Sequence, residues 1–114
     1  MNPTPMRGEI WMVDLDPTKG REQAGRRPAL VISVDPFNQG PAQLVVVIPI
    51  SSTDRKVRSH VPIAPPEGGL DAKSFVMCEA MRSISKERLA QRWGAVSSST
   101  LAGVEERLRF LLGL

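Results

Sequence analysis

A chain of 114 residues with a mass of 12.5 kDa is the size of one domain rather than two. With 41% hydrophobic and 24% charged residues it is globular rather than disordered, and its net charge of +3 permits an anionic partner without demanding one. The single Cys excludes an intramolecular disulfide and a thiolate zinc site, and the single His excludes a mechanism that uses one His as acid and another as base.

The first six residues, broken by Pro3 and Pro5, read as a loose arm and not as a signal peptide. Apolar runs are too short for a bilayer, which makes a cytoplasmic protein without membrane contact the expectation. Val- and Ile-rich segments bounded by turn residues then predict strands over Glu9 to Leu15, Ala29 to Val34, Leu44 to Ile48, His60 to Ile63 and Phe75 to Met81. Leu44 to Ile48 does not alternate, as in a strand covered on both faces. Pro28 and Pro49 are expected at strand edges, where a missing N–H is tolerated.

The period changes near the end. Leu101, Val104, Leu108, Leu111 and Leu112 fall on one helical face, with Ser98, Ser99 or Thr100 as N-cap and Glu105, Glu106, Arg107 and Arg109 towards solvent. A shorter helix is predicted from Lys86 to about Arg92, capped by Ser85. The fold class is thus mainly β (α+β): a small, strongly bent antiparallel sheet with a short helix and a C-terminal helix, forming a single domain over 1–114. A core this small favours a dimer that covers the remaining apolar surface.

Two segments carry possible chemistry. Residues 19–28 lie between strands and hold four cations (Lys19, Arg21, Arg26, Arg27) and one carboxylate, Glu22, together with Gln23 and two glycines. Such a loop can move onto a phosphate backbone or remain a solvated loop with Arg–Glu pairs. Arg27 stands out because Pro28 fixes it at a strand start, a firmer mount for a guanidinium than a loop tip. The second segment places Ser51, Ser52 and Thr53 just past an apolar strand, followed by Arg55, Lys56 and Arg58. Hydroxyls there can donate to a phosphoryl oxygen or simply form a turn. Asp14 and Asp16 are a conceivable Mg²⁺ pair, though paired carboxylates at a strand end are more often solvated. His60 is a possible proton-transfer group, and Trp11 and Trp93 read as core or interface anchors. Phe37 can stack on a base, and Cys78 reads as a small core residue.

The run Arg7-Gly8-Glu9-Ile10-Trp11, Asp14-Leu15-Asp16-Pro17 and Gly20-Arg21-Glu22-Gln23-Ala24-Gly25-Arg26-Arg27-Pro28 resembles the N-terminal signature of the MazF/PemK toxins of type II toxin–antitoxin modules. The resemblance continues through Ile48-Pro49-Ile50-Ser51-Ser52, Gly69-Leu70, Ser74-Phe75-Val76 and Arg82-Ser83-Ile84. It implies a small SH3-like β-barrel assembled as a homodimer. It also implies a metal-independent endoribonuclease, without cofactor, that cuts single-stranded mRNA at short sequences and leaves a 2′,3′-cyclic phosphate and a 5′-hydroxyl. By resemblance Arg27 and Ser51 are the catalytic pair, and Glu22 supports the active-site loop. Lys19, Arg21, Gln23, Arg26, Ser52, Arg55, Lys56 and Arg58 are candidate RNA contacts, and Glu22 and His60 are candidate bases. The implied partner is a cognate antitoxin with an acidic, partly disordered segment.

Three departures from the family pattern stand out. Ser51 replaces a frequent Thr with the hydroxyl retained, Arg21 replaces a small polar residue, and Ala80 follows Glu79 where Gln is common, which bears on base preference. Two other functions remain compatible with such a domain: a non-enzymatic poison of DNA gyrase with the same fold, and an RNA-binding module that does not cut.

Overall fold

In the computed structural model the described residues are 4–16 and 25–114. Seven strands run β1 (Glu9–Asp14), β2 (Arg26–Val31), β3 (Leu44–Ser51), β4 (His60–Ile63), β5 (Ser74–Met77), β6 (Arg82–Ser85) and β7 (Leu89–Ala95). A one-turn helix α1 (Asp35–Asn38) follows β2, and α2 (Ser98–Leu112) closes the chain. All pairings are antiparallel, in the order β4-β5-β3-β2-β1-β7 with β6 also on β3. This is the bent, SH3-like β architecture with a terminal helix that the sequence predicts, and among the described residues its hydrogen-bonded path runs open from β4 to β7.

The bend originates in β3. Leu44–Val47 pair with β6, whereas Ile50 and Ser51 pair with β5, so one strand serves two sheets. Alternation then feeds two cores. Ile48 and Ile50 join Ile10, Leu30, Val61, Ile63, Val76 and Val104, while Val45 and Val47 join Trp11, Val13, Ala29, Val31 and Ile84. A strand buried on both faces needs no polar alternation, which explains the unbroken apolar run.

Several local expectations are corrected. Lys86–Arg88 make only a 3₁₀ turn, with Ser85 Oγ accepting from Glu87 N at 3.3 Å, and the chain then enters β7 instead of continuing as a helix to Arg92. Pairing along β1 outweighs local helix propensity, and it sends Leu89 and Trp93 to different cores. The strand expected through Met81 stops at Met77, and a 3₁₀ turn over Cys78–Ala80 leads into β6. Pro28 and Pro49 lie inside β2 and β3, not at their margins.

The cap of α2 is Ser97, whose Oγ accepts from Thr100 N at 3.1 Å, and Gly113 ends the helix at φ 70°. The last turn overshoots the sheet, leaving Leu111 and Leu112 40% and 54% exposed instead of in the core. Glu105 faces inward enough to pair with Arg7 at 2.6 Å. Within the arm expected over 1–6, Pro5 is buried and Met6 N donates to Glu9 Oε1 at 2.7 Å. Trp11 is core, with its Nε1 donating to the same oxygen at 3.1 Å.

Candidate active site

β2 and β3 pair at Ala29–Pro49, Leu30–Ile48 and Val31–Val47. Continued by two residues, the same register brings position 27 against position 51. Ile32 N donates to Val46 O, so the even-numbered residues of β2 face β3 with their backbone groups; Pro28 has no N–H to give Ile50, and the pairing ends at Ala29–Pro49, where the two strand ends part. They open a cleft of about 390 Å³ lined by Arg26, Arg27, Pro28, Ile50, Ser51, Ser52, Thr53 and Arg55 on one side and by Leu70, Asp71, Ala72, Ser74 and Trp93 on the other. Ser51 is only 7% exposed, and its Oγ accepts from Thr53 N at 3.1 Å. Its own proton is thus left to donate into the cleft. A fixed hydroxyl donor beside three guanidinium groups suits a tetrahedral anion.

The far wall is held by close backbone contact. The loop from Pro65 to Leu70 crosses β7 at Gly68, Gly69 and Gly94, where a Cβ on Gly94 would come 2.7 Å from Gly68 C and 2.8 Å from Gly69 N. Gly68 and Gly69 also have positive φ, 67° and 76°. Glu67 Oε2 accepts from Ser97 N at 3.0 Å, which ties the same loop to the start of α2. Leu70 and Asp71 are thereby set against Trp93.

Of the residues singled out in the sequence, Arg26, Arg27, Ser51, Ser52, Thr53 and Arg55 meet in this cleft. Arg55 also donates from Nη1 to Met77 Sδ at 3.3 Å. Lys56 and Arg58 are not among its lining residues. Lys56 pairs with Asp54 at 3.1 Å, and Arg58 lines a separate depression against α2 with Val57, Ser59, His60, Glu106, Arg107 and Phe110. Lys19, Arg21, Glu22 and Gln23 lie outside the described residues. Asp14 and Asp16 make a local turn, accepting from Asp16 N and Gly25 N, and no group of three or more metal-ligating residues occurs among the described residues.

His60 also lies away from the Arg27–Ser51 cleft. Its side chain is 4% exposed, with Nε2 2.6 Å from Glu79 Oε2, and Glu79 Oε1 accepts from Ser59 Oγ. Burial works against the Glu79 carboxylate, but the hydrogen bonds from Ser59 and His60 outweigh it and hold its pKa below the ordinary value. Cys78 is buried, and desolvation pushes its thiol up to about 11, so it is no nucleophile. Asp71 and Trp93 are cleft residues that sequence reasoning missed as such. Trp93 was legible only as an anchor, and Asp71 carries no local motif that distinguishes it from any loop carboxylate.

Comparison with known proteins shows the family. The family described as PemK-like, MazF-like toxin of type II toxin–antitoxin system matches residues 6–112. A Mycobacterium tuberculosis protein named Endoribonuclease MazF9 is 39% identical over 113 residues, covering 95% of this chain and 96% of that one. Endoribonuclease MazF of Staphylococcus epidermidis is 33% identical over 109 residues, covering 95% and 91%. The crystal structure of MazF from Deinococcus radiodurans superposes with a TM-score of 0.88 at 29% identity, covering 98% of this chain and 99% of that one. A MazE–MazF crystal structure from the same organism superposes at 0.82 with 29% identity, covering 98% of each chain. No helix of the described residues is long and apolar enough to cross a membrane. The match over nearly the whole length, together with the two strand ends that open the cleft, assigns this chain to the PemK-like, MazF-like toxin family of type II toxin–antitoxin systems.

Proposed function

We propose that the chain is the toxin of a type II toxin–antitoxin pair and acts as a sequence-specific endoribonuclease on single-stranded mRNA. The observation that carries this reading is the convergence of Arg27 and Ser51, from neighbouring strand ends, on one cationic cleft. The relatives named endoribonucleases support it. In the reaction the ribose 2′-oxygen attacks the adjacent phosphorus, its proton leaves to a base, and the bond from phosphorus to the 5′-oxygen breaks, that oxygen taking up a proton from water. The products are a 2′,3′-cyclic phosphate and a 5′-hydroxyl. Arg27 holds two phosphoryl oxygens and offsets the charge that builds on them, while Ser51 Oγ–H donates to one of them. The guanidinium acts by its fixed charge and not as the proton donor. The positive charge supplied by the protein makes this route independent of a metal.

Arg26, Ser52 and Arg55 extend the grip along the RNA backbone. Glu22 is proposed to support the loop over 18–27, with Lys19, Arg21 and Gln23 as further contacts. Lys56 and Arg58 belong to an outer contact at most. The protein works in the cytoplasm, where mRNA and an antitoxin are both present. An acidic antitoxin segment would compete with RNA for the same cations, and the MazE–MazF structure of Deinococcus radiodurans supports an antitoxin partner. Exposed Phe110, Leu111, Leu112 and Leu114 support assembly as a homodimer.

The test is incubation of the purified protein with a long single-stranded RNA in EDTA, followed by mapping of the ends. Cleavage leaving cyclic phosphate and 5′-hydroxyl ends at recurrent short sequences is expected. Intact RNA, with inhibition of DNA gyrase instead, would reject it.

A further inference from the structure

Beside the cleft, and continuous with it, lies a second shallow depression lined by Gly69, Asp71, Gln91, Arg92 and Trp93. Asp71 and Trp93 belong to both. We propose that this shelf is a base-recognition subsite for a nucleobase with an exocyclic amino group, stacked on Trp93 and hydrogen-bonded by Asp71. The proposal rests on the endoribonuclease reading for the RNA in the cleft, and it adds which residues read a base there.

Four features support it. First, Trp93 packs on the core from one side and lines the depression with the rest, so the ring is held before any base arrives. A fixed aromatic face suits stacking of an unpaired base. Second, the crossing of Gly68 and Gly69 over Gly94 locks the loop that carries Asp71 against the backbone of Trp93, which sets the spacing of carboxylate and ring. Third, Asp71 is exposed and takes part in no hydrogen bond or ion pair with the described residues, unlike the Glu9, Asp54, Glu67 and Glu79 carboxylates. Fourth, Arg92 on the rim is already engaged, its Nε 2.5 Å from Glu9 Oε2, so the shelf is not built as a second phosphate clamp.

The preference follows from the donors. An ionised carboxylate only accepts hydrogen bonds. Adenine, cytosine and guanine each present an amino group, whereas uracil flanks its one ring N–H with two carbonyl oxygens that the carboxylate repels.

The test uses four 2′-O-methyl pentanucleotides, U-U-X-U-U with X as A, C, G or U, which the proposed chemistry cannot cleave. Their binding is followed by quenching of tryptophan fluorescence. The expected result is tighter binding for at least one amino-bearing base than for uracil, by about tenfold. Asp71→Asn should abolish that difference by weakening the amino-bearing oligonucleotide, while U-U-U-U-U, freed from the carboxylate, is not weakened. Trp93→Phe should remove the quenching but keep the preference, read for that variant by isothermal titration calorimetry, and a thermal melt of each variant checks the fold. Equal binding of all four oligonucleotides, or an unchanged preference in Asp71→Asn, overturns the proposal. Selective binding that depends on Asp71, in a protein that leaves unmodified RNA intact, would retain the subsite and reject the nuclease reading. Cleavage of RNA with no role for Asp71 would do the reverse.

Discussion

Arg27 and Ser51 stand two residues beyond the last β2–β3 pair, Ala29 with Pro49, and line the cleft that opens where that ladder stops. Each is anchored by a strand that continues into the core, so neither depends on a loop for its position. Replacing Arg27 with Ala should lower the single-turnover rate on RNA by about two or more decades, the loss typical of a transition-state donor. Arg27→Lys keeps the charge but not the two-pronged geometry and should recover only part of the rate. Ser51→Ala should cost about one to two decades, whereas Ser51→Thr retains the hydroxyl and should stay active. Full activity of Arg27→Ala, in a variant with normal melting, would remove Arg27 from the chemistry.

The cleft also makes a prediction about salt. Each RNA phosphate neutralised by the protein releases counterions, and for single strands the slope of log K against log salt changes by about 0.7 per contact. Arg26→Ala and Arg55→Ala should therefore weaken RNA binding and flatten that slope by about 0.7 each. Lys56→Ala should do much less, because Lys56 is turned to Asp54 and is absent from the cleft wall. Equal slopes for all three variants would show that the cationic loop binds as a diffuse patch rather than through this cleft.

Gly94 offers a test of the far wall. A methyl group there meets backbone atoms of Gly68 and Gly69 at 2.7–3.0 Å, and neither side is a flexible side chain that can turn away. Gly94→Ala should lower unfolding stability by about 2 kcal/mol or more in a denaturant titration, as overpacking against fixed backbone does. The Gly113→Ala control has open space around its Cβ and should cost only the smaller strain of its positive φ. A neutral Gly94→Ala would mean that the loop over 65–70 moves freely and does not fix Asp71 and Leu70.

How far these features were legible in the sequence depends on their range. β1, β3 and β4 follow from local apolar patterning, and Arg27 is marked by the proline after it. The meeting of Arg27 with Ser51 depends on register across 24 residues of chain, which no local pattern encodes. β7 was misread as helix because Lys86 to Arg92 has no strong period of its own, and only the partner strand β1 makes it a strand. The overshoot of α2 is similar: helical spacing puts Leu111 and Leu112 on the apolar face, but the sheet beneath them ends earlier. Asp71 and Trp93 lie 22 residues apart and become neighbours only through the glycine crossing.

Acid should destabilise the fold through a small set of hydrogen-bonded carboxylates, of which Glu9 is the most buried and the most connected. Burial raises its pKa, but Arg92, Met6 N and Trp11 Nε1 together hold it below its ordinary value of 4.5. Glu67 and Glu79 are shifted in the same direction. A carboxylate with a lowered folded pKa contributes stability that is complete above the unfolded value. That contribution is lost as pH falls through the folded value. Unfolding free energy should thus be flat from neutral pH down to about 5 and fall below it. Glu9→Gln keeps the shape but leaves Arg92 without its counter-charge, so it should cost about 1–3 kcal/mol at pH 7. Because the unfolded chain then no longer takes up a proton at this site, the variant should lose less on going to pH 3. Its stability should approach that of the parent there. A Glu9→Gln protein with the same acid slope as the parent would show that this carboxylate does not couple folding to protons.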